Sequence, residues 1–281
     1  MGGPPFVVVP IRPGLPRGTA AALRAWHRAT DPAERHHGDM SQILEVLALH
    51  EHDARRAEEG GADRVFLAGS LDDGGMSPEP SAVETVRAAV GIEVRPLVRL
   101  RPGYGTDGGE FVRLRGLIES YVDAGADGVV FGFLNGYDEV DAEVCGALTE
   151  HGLWRWTFHQ AVDQTLDTDR AWRVLQRLPR LDQVLTAGSA RGMEFGLDEL
   201  VQRCRADADV ARLVMAGGGL APEHVPWLVR AGVRSFHISD QARPLGQYKA
   251  YVDAPLVRTW RELIDDTAAH LDIRQEQPGP G

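Results

Sequence analysis

The chain has 281 residues, 43% of them hydrophobic and 25% charged, a globular balance that excludes wholesale disorder. At about 150 residues per domain, this length accommodates two domains or one large barrel. Thirty Lys and Arg against 41 Asp and Glu leave a net charge of −11, which disfavours nucleic acid and anionic membranes, since both are gripped by basic residues.

Cys145 and Cys204 are too few for a disulfide framework and form no CxxC pair, so a reducing compartment is expected. No run approaches the ~20 apolar residues of a membrane span. The short apolar run Phe6–Val9 is closed by Pro10 and is no signal peptide. A soluble, cytoplasmic protein is expected.

In chain order, residues 1–40 carry Pro4, Pro5, Pro10, Pro13, Pro16 and Pro32, and proline at that density blocks helix and ladder alike. They read as an irregular extension in which His36 and His37 are solvated. Strand-like runs then fall at 43–49, 64–68, 94–100, 128–134, 153–159, 182–187, 212–216 and 234–239. Amphipathic segments separate them, as in 110–123, where Phe111, Leu114, Leu117, Ile118 and Tyr121 keep helical spacing. Gly61, Gly125 and Gly232 stand where helix gives way to strand, which suits a left-handed helix cap. Eight alternations predict a (β/α)8 TIM barrel over 41–273, followed by a loose tail, 274–281. A doubly wound open sheet is the alternative, weakened by the lack of GxGxxG after the first strand.

Strand alternation assigns faces. Val94, Pro96, Val98 and Leu100 form an apolar set for the helices, leaving Arg95, Leu97, Arg99 and Arg101 on the axis. By the same parity Glu45, Arg155, Thr157, His159, Ser235, His237 and Ser239 face inward, while Trp154, Trp156 and Phe158 face out. Charges on a barrel axis are costly unless paired or solvated. Two readings follow: an internal ion-pair network in which Glu45 neutralises an arginine, or a ligand pocket at the C-terminal mouth. In the pocket reading Arg99 and Arg101 grip an oxyanion through their guanidinium forks. Ser189, Gly217, Gly218 and Ser239 add donors from the later loops. His159 or Glu45 moves a proton, and Asp163 or Asp141 orients the histidine.

The runs LEVLAL, GADRVFLAGSLDDGGMSP (61–78), RPLVRLRPG (95–103), DGVVFGFL, TFHQAVD (157–163), VLTAGS (184–189), MAGGG (215–219) and FHIS (236–239) together resemble the CutC family. The resemblance spans about 41–241 and implies a TIM barrel associated with copper homeostasis and copper binding. Glu45, Arg99, Arg101, Asp141, His159, Asp163 and His237 match the family. Its cysteines correspond to Leu47, Ala48 and Ala68 here, its frequent strand-two Glu to Phe66, and its Arg after TFH to Gln160. Copper is thus expected by resemblance alone, with His50 and His52 as the substitute ligands available beside the first strand. Met76, Met193 and Met215 read as core filler. The alternatives are a barrel enzyme for a small anionic or phosphorylated substrate, or a non-catalytic sensor on the same pocket. A homo-oligomer is compatible with either.

Overall fold

The computed structural model describes residues 42–276 apart from 151 and 153, with side chains as far as 270. The expected extension 1–40, with His36 and His37, and residues 277–281 of the expected tail lie outside the described residues. Among the described residues the order begins β1 (Ile43–Ala48), α1 (Glu51–Glu59), β2 (Arg64–Leu67), α2 (Pro80–Ala89), β3 (Glu93–Pro96), α3 (Gly108–Asp123) and β4 (Gly128–Phe131). It continues α4 (Ala142–Thr149), β5 (Arg155–Phe158), α5 (Thr168–Leu175), β6 (Leu181–Thr186), α6 (Met193–Ala206) and α7 (Ala208–Leu213). It ends β7 (Val214–Ala216), α8 (Val225–Arg230), β8 (Ser235–Ile238) and α9 (Ala254–Glu276). The last helix therefore runs past Ile273, where a loose tail was expected.

All eight strands pair in parallel, in the order β3-β2-β1-β8-β7-β6-β5-β4. The seam between β3 and β4 is held by the parallel bridge Leu97–Val130, with Val98 N–H donating to the Val130 carbonyl at 2.8 Å. This is the (β/α)8 barrel. Several helices start where short polar side chains take up their first free N–H groups: Asp107 receives Glu110 N–H for α3, Asp141 receives Val144 N–H for α4, and Asp167 receives Arg170 N–H for α5. Gly61, Gly125 and Gly232, after α1, α3 and α8, take φ of 94°, 89° and 96°, the left-handed turn expected of them. The Asp that follows the first two of these glycines clamps the preceding strand. Asp63 accepts from Leu44 N–H at 2.8 Å, and Asp127 from Val94 N–H at 2.9 Å.

Outward side chains of the strands meet the helices, and the Trp156 and Phe131 rings stack at 4.2 Å. Inward side chains form two layers. Toward the mouth lies an apolar cluster of Leu47, Phe66, Ala68, Leu97, Val130, Leu185 and Met215. One layer closer to the N-terminal ends of the strands lies a charged network. Glu45 Oε2 is 2.8 Å from Arg64 Nε, but out of line for a hydrogen bond. Arg95 grips both oxygens of Asp182 at 2.7 Å, donates to Thr157 at 2.9 Å and reaches Glu93 at 3.4 Å. The carboxylate of Asp182 is available because β6 bulges there. Trp156 pairs with Leu181 and Thr157 with Gln183, so Asp182 is an extra residue turned to the axis. The expected internal ion network therefore exists, built on Arg64 and Arg95.

Breaking a buried pair by deleting one partner costs about 3–5 kcal/mol. Arg95→Met, which strips Asp182 of its bidentate partner, should lower the unfolding free energy by about 3 kcal/mol in denaturant titration at pH 7; a loss below about 0.5 kcal/mol would contradict the network's role. Glu45 supplies a second check. Burial raises its pKa, but the Arg64 charge, the His237 hydrogen bond and charge, and the Arg95 charge outweigh that and hold it at about 2, below the ordinary 4.5. A carboxyl depressed in the folded state stabilises the fold above its unfolded pKa and loses that contribution as pH falls through the folded value. Wild type should thus lose about 3 kcal/mol between pH ~4.5 and ~2 from this group. Glu45→Gln should flatten that part of the pH–stability curve.

Candidate functional site

Closure of β8 on β1 sets Glu45 and His237 side by side in register. His237 Nδ1 lies 2.7 Å from Glu45 Oε1. The carboxylate is fully buried and ionised at neutral pH, so it can only accept. Nδ1 must therefore carry the proton, and Nε2, on the far side of the ring, keeps its lone pair in the neutral imidazole. The Phe66 ring stands edge-on to His237 at 5.4 Å. This is a carboxylate-oriented histidine at the C-terminal end of a barrel strand, and it can take or give a proton at Nε2.

His159, following β5, is arranged in the opposite sense. Its Nδ1 accepts from Ala161 N–H at 3.1 Å, capping the 3-10 turn Gln160–Gln164. Nε2 is therefore the protonated nitrogen. Burial, reinforced by the Arg99 charge, pushes its pKa down to about 3, so the ring stays neutral. Tyr104 lies between the rings and charges here, 5.4 Å from His159 and 5.3 Å from the Arg99 guanidinium.

Arg99 is buried beside His159, with Nη1 donating to the carbonyls of Asp73 and Gly75 and Nε to that of Gly103. Arg101 departs from the expected axis position. Its half-exposed side chain pairs with Asp107 at 3.1 Å and Glu110 at 2.9 Å at the start of α3. The cause is that β3 ends at Pro96, so strand parity lapses before residue 101. Arg155, also expected inside, is exposed at the N-terminal end of β5.

Neither aspartate expected to orient a histidine touches one. Asp163 accepts from the Thr186 hydroxyl at 2.5 Å and from Ala187 N–H at 2.8 Å. Burial pushes its pKa up to about 6. Asp141 caps α4 and lines a cleft of about 320 Å³ with Asn135, Glu139, Asp167 and Arg170. That cleft sits on the rim between α4 and α5 and is lined by none of the axis side chains. Ser189 Oγ accepts from Arg191 N–H at 3.1 Å. Gly217 N–H donates to the Thr186 carbonyl at 3.0 Å. Gly218 takes φ 80°, and a Cβ there would fall 2.0 Å from Gln160 Nε2. Ser239, opening the loop after β8, bonds Asp240, Gln241 and Tyr248. That loop is fastened by an ion pair the sequence alone did not suggest, buried Arg243 on buried Asp53 at 2.9 Å.

Among the described residues, the candidate copper ligands are engaged elsewhere. His50 Nδ1 accepts from Asp53 N–H, and the His50 and His52 rings flank Tyr251 at 4.9 and 4.7 Å. Cys145 and Cys204 are buried, and burial pushes both thiols up to about 12, away from the thiolate that Cu(I) prefers. Among the described residues no three His, Cys, Asp or Glu are placed to hold a metal. No helix among them is long and apolar enough to cross a membrane.

The CutC family model matches residues 42–242. The family protein CutC of Klebsiella pneumoniae strain 342 is 33% identical over 199 residues, covering 70% of this chain and 79% of its own. Its counterpart in Xanthomonas campestris pv. campestris strain 8004 is 35% identical over 217 residues, covering 75% and 87%. The crystal structure of CutC from Streptococcus agalactiae superposes with a TM-score of 0.62 at 22% identity, over 70% of this chain and 97% of that one, a likeness of fold. By the span and identity of these matches, the chain belongs to the CutC family.

Proposed function

We propose that this protein is a barrel enzyme that moves a proton on a small anionic substrate bound at the C-terminal mouth. The observation that carries the reading is the Glu45–His237 pair at 2.7 Å, with Arg64 behind the carboxylate. Glu45 sets the tautomer and orientation of the imidazole, and His237 Nε2 exchanges the proton, the division of labour known from other carboxylate–histidine pairs. Arg99 has committed Nε and Nη1 to carbonyls; its Nη2 is the charged donor for the anion. Ser189, Gly217, Gly218 and Ser239 stand in the loops after β6, β7 and β8, the region that holds phosphate in many barrels. Copper homeostasis is the property for which the Streptococcus agalactiae protein is named. In this chain the buried, protonated thiols and the apolar Leu47, Ala48 and Ala68 weigh against the ion as ligand.

Calorimetric titration with inorganic phosphate tests the anion. Wild type should bind it one to one, Arg99→Met should lose about 10-fold or more in affinity, and Arg101→Ala should be unchanged, because its side chain is spent on Asp107 and Glu110 at the rim. Phosphate that fails to bind wild type would sink the anion site. Competition against a strong Cu(I) chelator tests the metal. The chelator should strip all the copper, and a one-to-one Cu(I) complex that survived it would return the function to copper handling.

A further inference from the structure

The two mouth histidines hold opposite tautomers, each fixed by a hydrogen bond to its Nδ1. Glu45 accepts from His237 Nδ1–H, whereas Ala161 N–H donates to His159 Nδ1. One ring therefore offers a lone pair at Nε2 and the other an N–H. The His159 ring is tightly placed. A Cβ on Gly132, just past β4, would lie 2.9 Å from its Nδ1, so only glycine leaves the ring its room, and Tyr104 packs 5.4 Å away. The apolar cluster of Leu47, Phe66, Leu97, Val130, Leu185 and Met215 lies on the mouth side of the charged network, and His237 reaches that network directly through Glu45. A neutral imidazole donor aimed at an oxygen, opposite a base, is a recurrent way to polarise a carbonyl while a proton leaves the neighbouring carbon.

Building on the proton-transfer reading above, we propose that His159 is a further catalytic residue and that the substrate is an enolisable hydroxy-carbonyl compound bearing a phosphate. His237 Nε2 takes the proton from the carbon next to the carbonyl. The C–H electron pair becomes the new C=C bond of an enediolate, and the carbonyl π pair moves onto oxygen, where His159 Nε2–H stabilises it. The same proton, or one exchanged with water, returns from His237 to the carbon it left, which restores the substrate; return to the former carbonyl carbon is accompanied by transfer of the remaining hydroxyl proton to the neighbouring enediolate oxygen, which gives the partner. No oxidant or reductant is consumed, and the products are the original compound or its aldose–ketose partner. Burial and the Arg99 charge keep His159 neutral across physiological pH, so it donates a hydrogen bond without surrendering a proton.

The test uses dihydroxyacetone phosphate in D2O, followed by proton NMR for loss of the C–H signal beside the carbonyl. Wild type should exchange that hydrogen well above background. His237→Gln and His159→Leu should each slow exchange by about 100-fold, while His159→Gln, which keeps an N–H donor, should stay within about tenfold of wild type. Far-UV circular dichroism and phosphate affinity are measured on every variant. If the leucine variant fails to fold, the glutamine variant decides: exchange at background in a folded, phosphate-binding His159→Gln overturns the donor role. Wild type that binds phosphate yet exchanges no C–H overturns this inference and leaves the anion site standing. Wild type that binds no phosphate overturns both. Exchange persisting in His237→Gln from the same host marks a contaminant and overturns the assignment.

Discussion

A carboxylate without water is the constraint around which the barrel is arranged. Glu45 is fully buried on β1, and an ionised group there is tolerable only when opposite charge and hydrogen bonds surround it. Arg64 on β2 supplies the charge and His237 on β8 the hydrogen bond, so one side chain links three adjacent strands across the junction of first and last. Glu93, Arg95 and Asp182 extend the alternation of charge toward β3 and β6. The apolar cluster then covers this layer on the mouth side. Low polarity above and fixed charge below are what make the Glu45–His237 orientation rigid.

Much of this was legible in the residue order, because its physics is local. The eight strands, and the inward set of β1, β5 and β8 apart from Arg155, follow from alternation over runs of three to six residues, and Asp, Gly and Pro mark the ends. Alternation holds only while the strand does. Beyond β3, which ends at Pro96, alternation still holds at Leu97 but has lapsed by Arg101, which is why Arg101 appears at the rim on Asp107 and Glu110. The same local physics misleads in the loops. Asp141 and Asp163 look like partners for a histidine, yet backbone N–H groups near them need an acceptor and take the carboxylates first. His50 likewise spends its Nδ1 on Asp53 N–H.

What could not be read was everything that depends on closure. Glu45 and His237 lie 192 positions apart, and nothing in either neighbourhood announces the other until β8 meets β1. The same holds for Asp53 with Arg243, whose buried pair pins the last mouth loop against the start of α1. Of the hydrogen bonds that fix the two tautomers, the one on His237 belongs to this class, while the one on His159 is made by backbone two residues away.

The bulge in β6 bears on how this chain can change length. Because Asp182 is an inserted position that sends two consecutive side chains toward the axis, removing it would restore a regular ladder while leaving the Arg95 guanidinium without its carboxylate. A second insertion would throw Leu185 out of the apolar cluster. Single-residue gain or loss, harmless in the outer turns, is therefore barred from this strand in both directions, and length variation among descendants of this sequence is channelled into the connections at either end of the barrel.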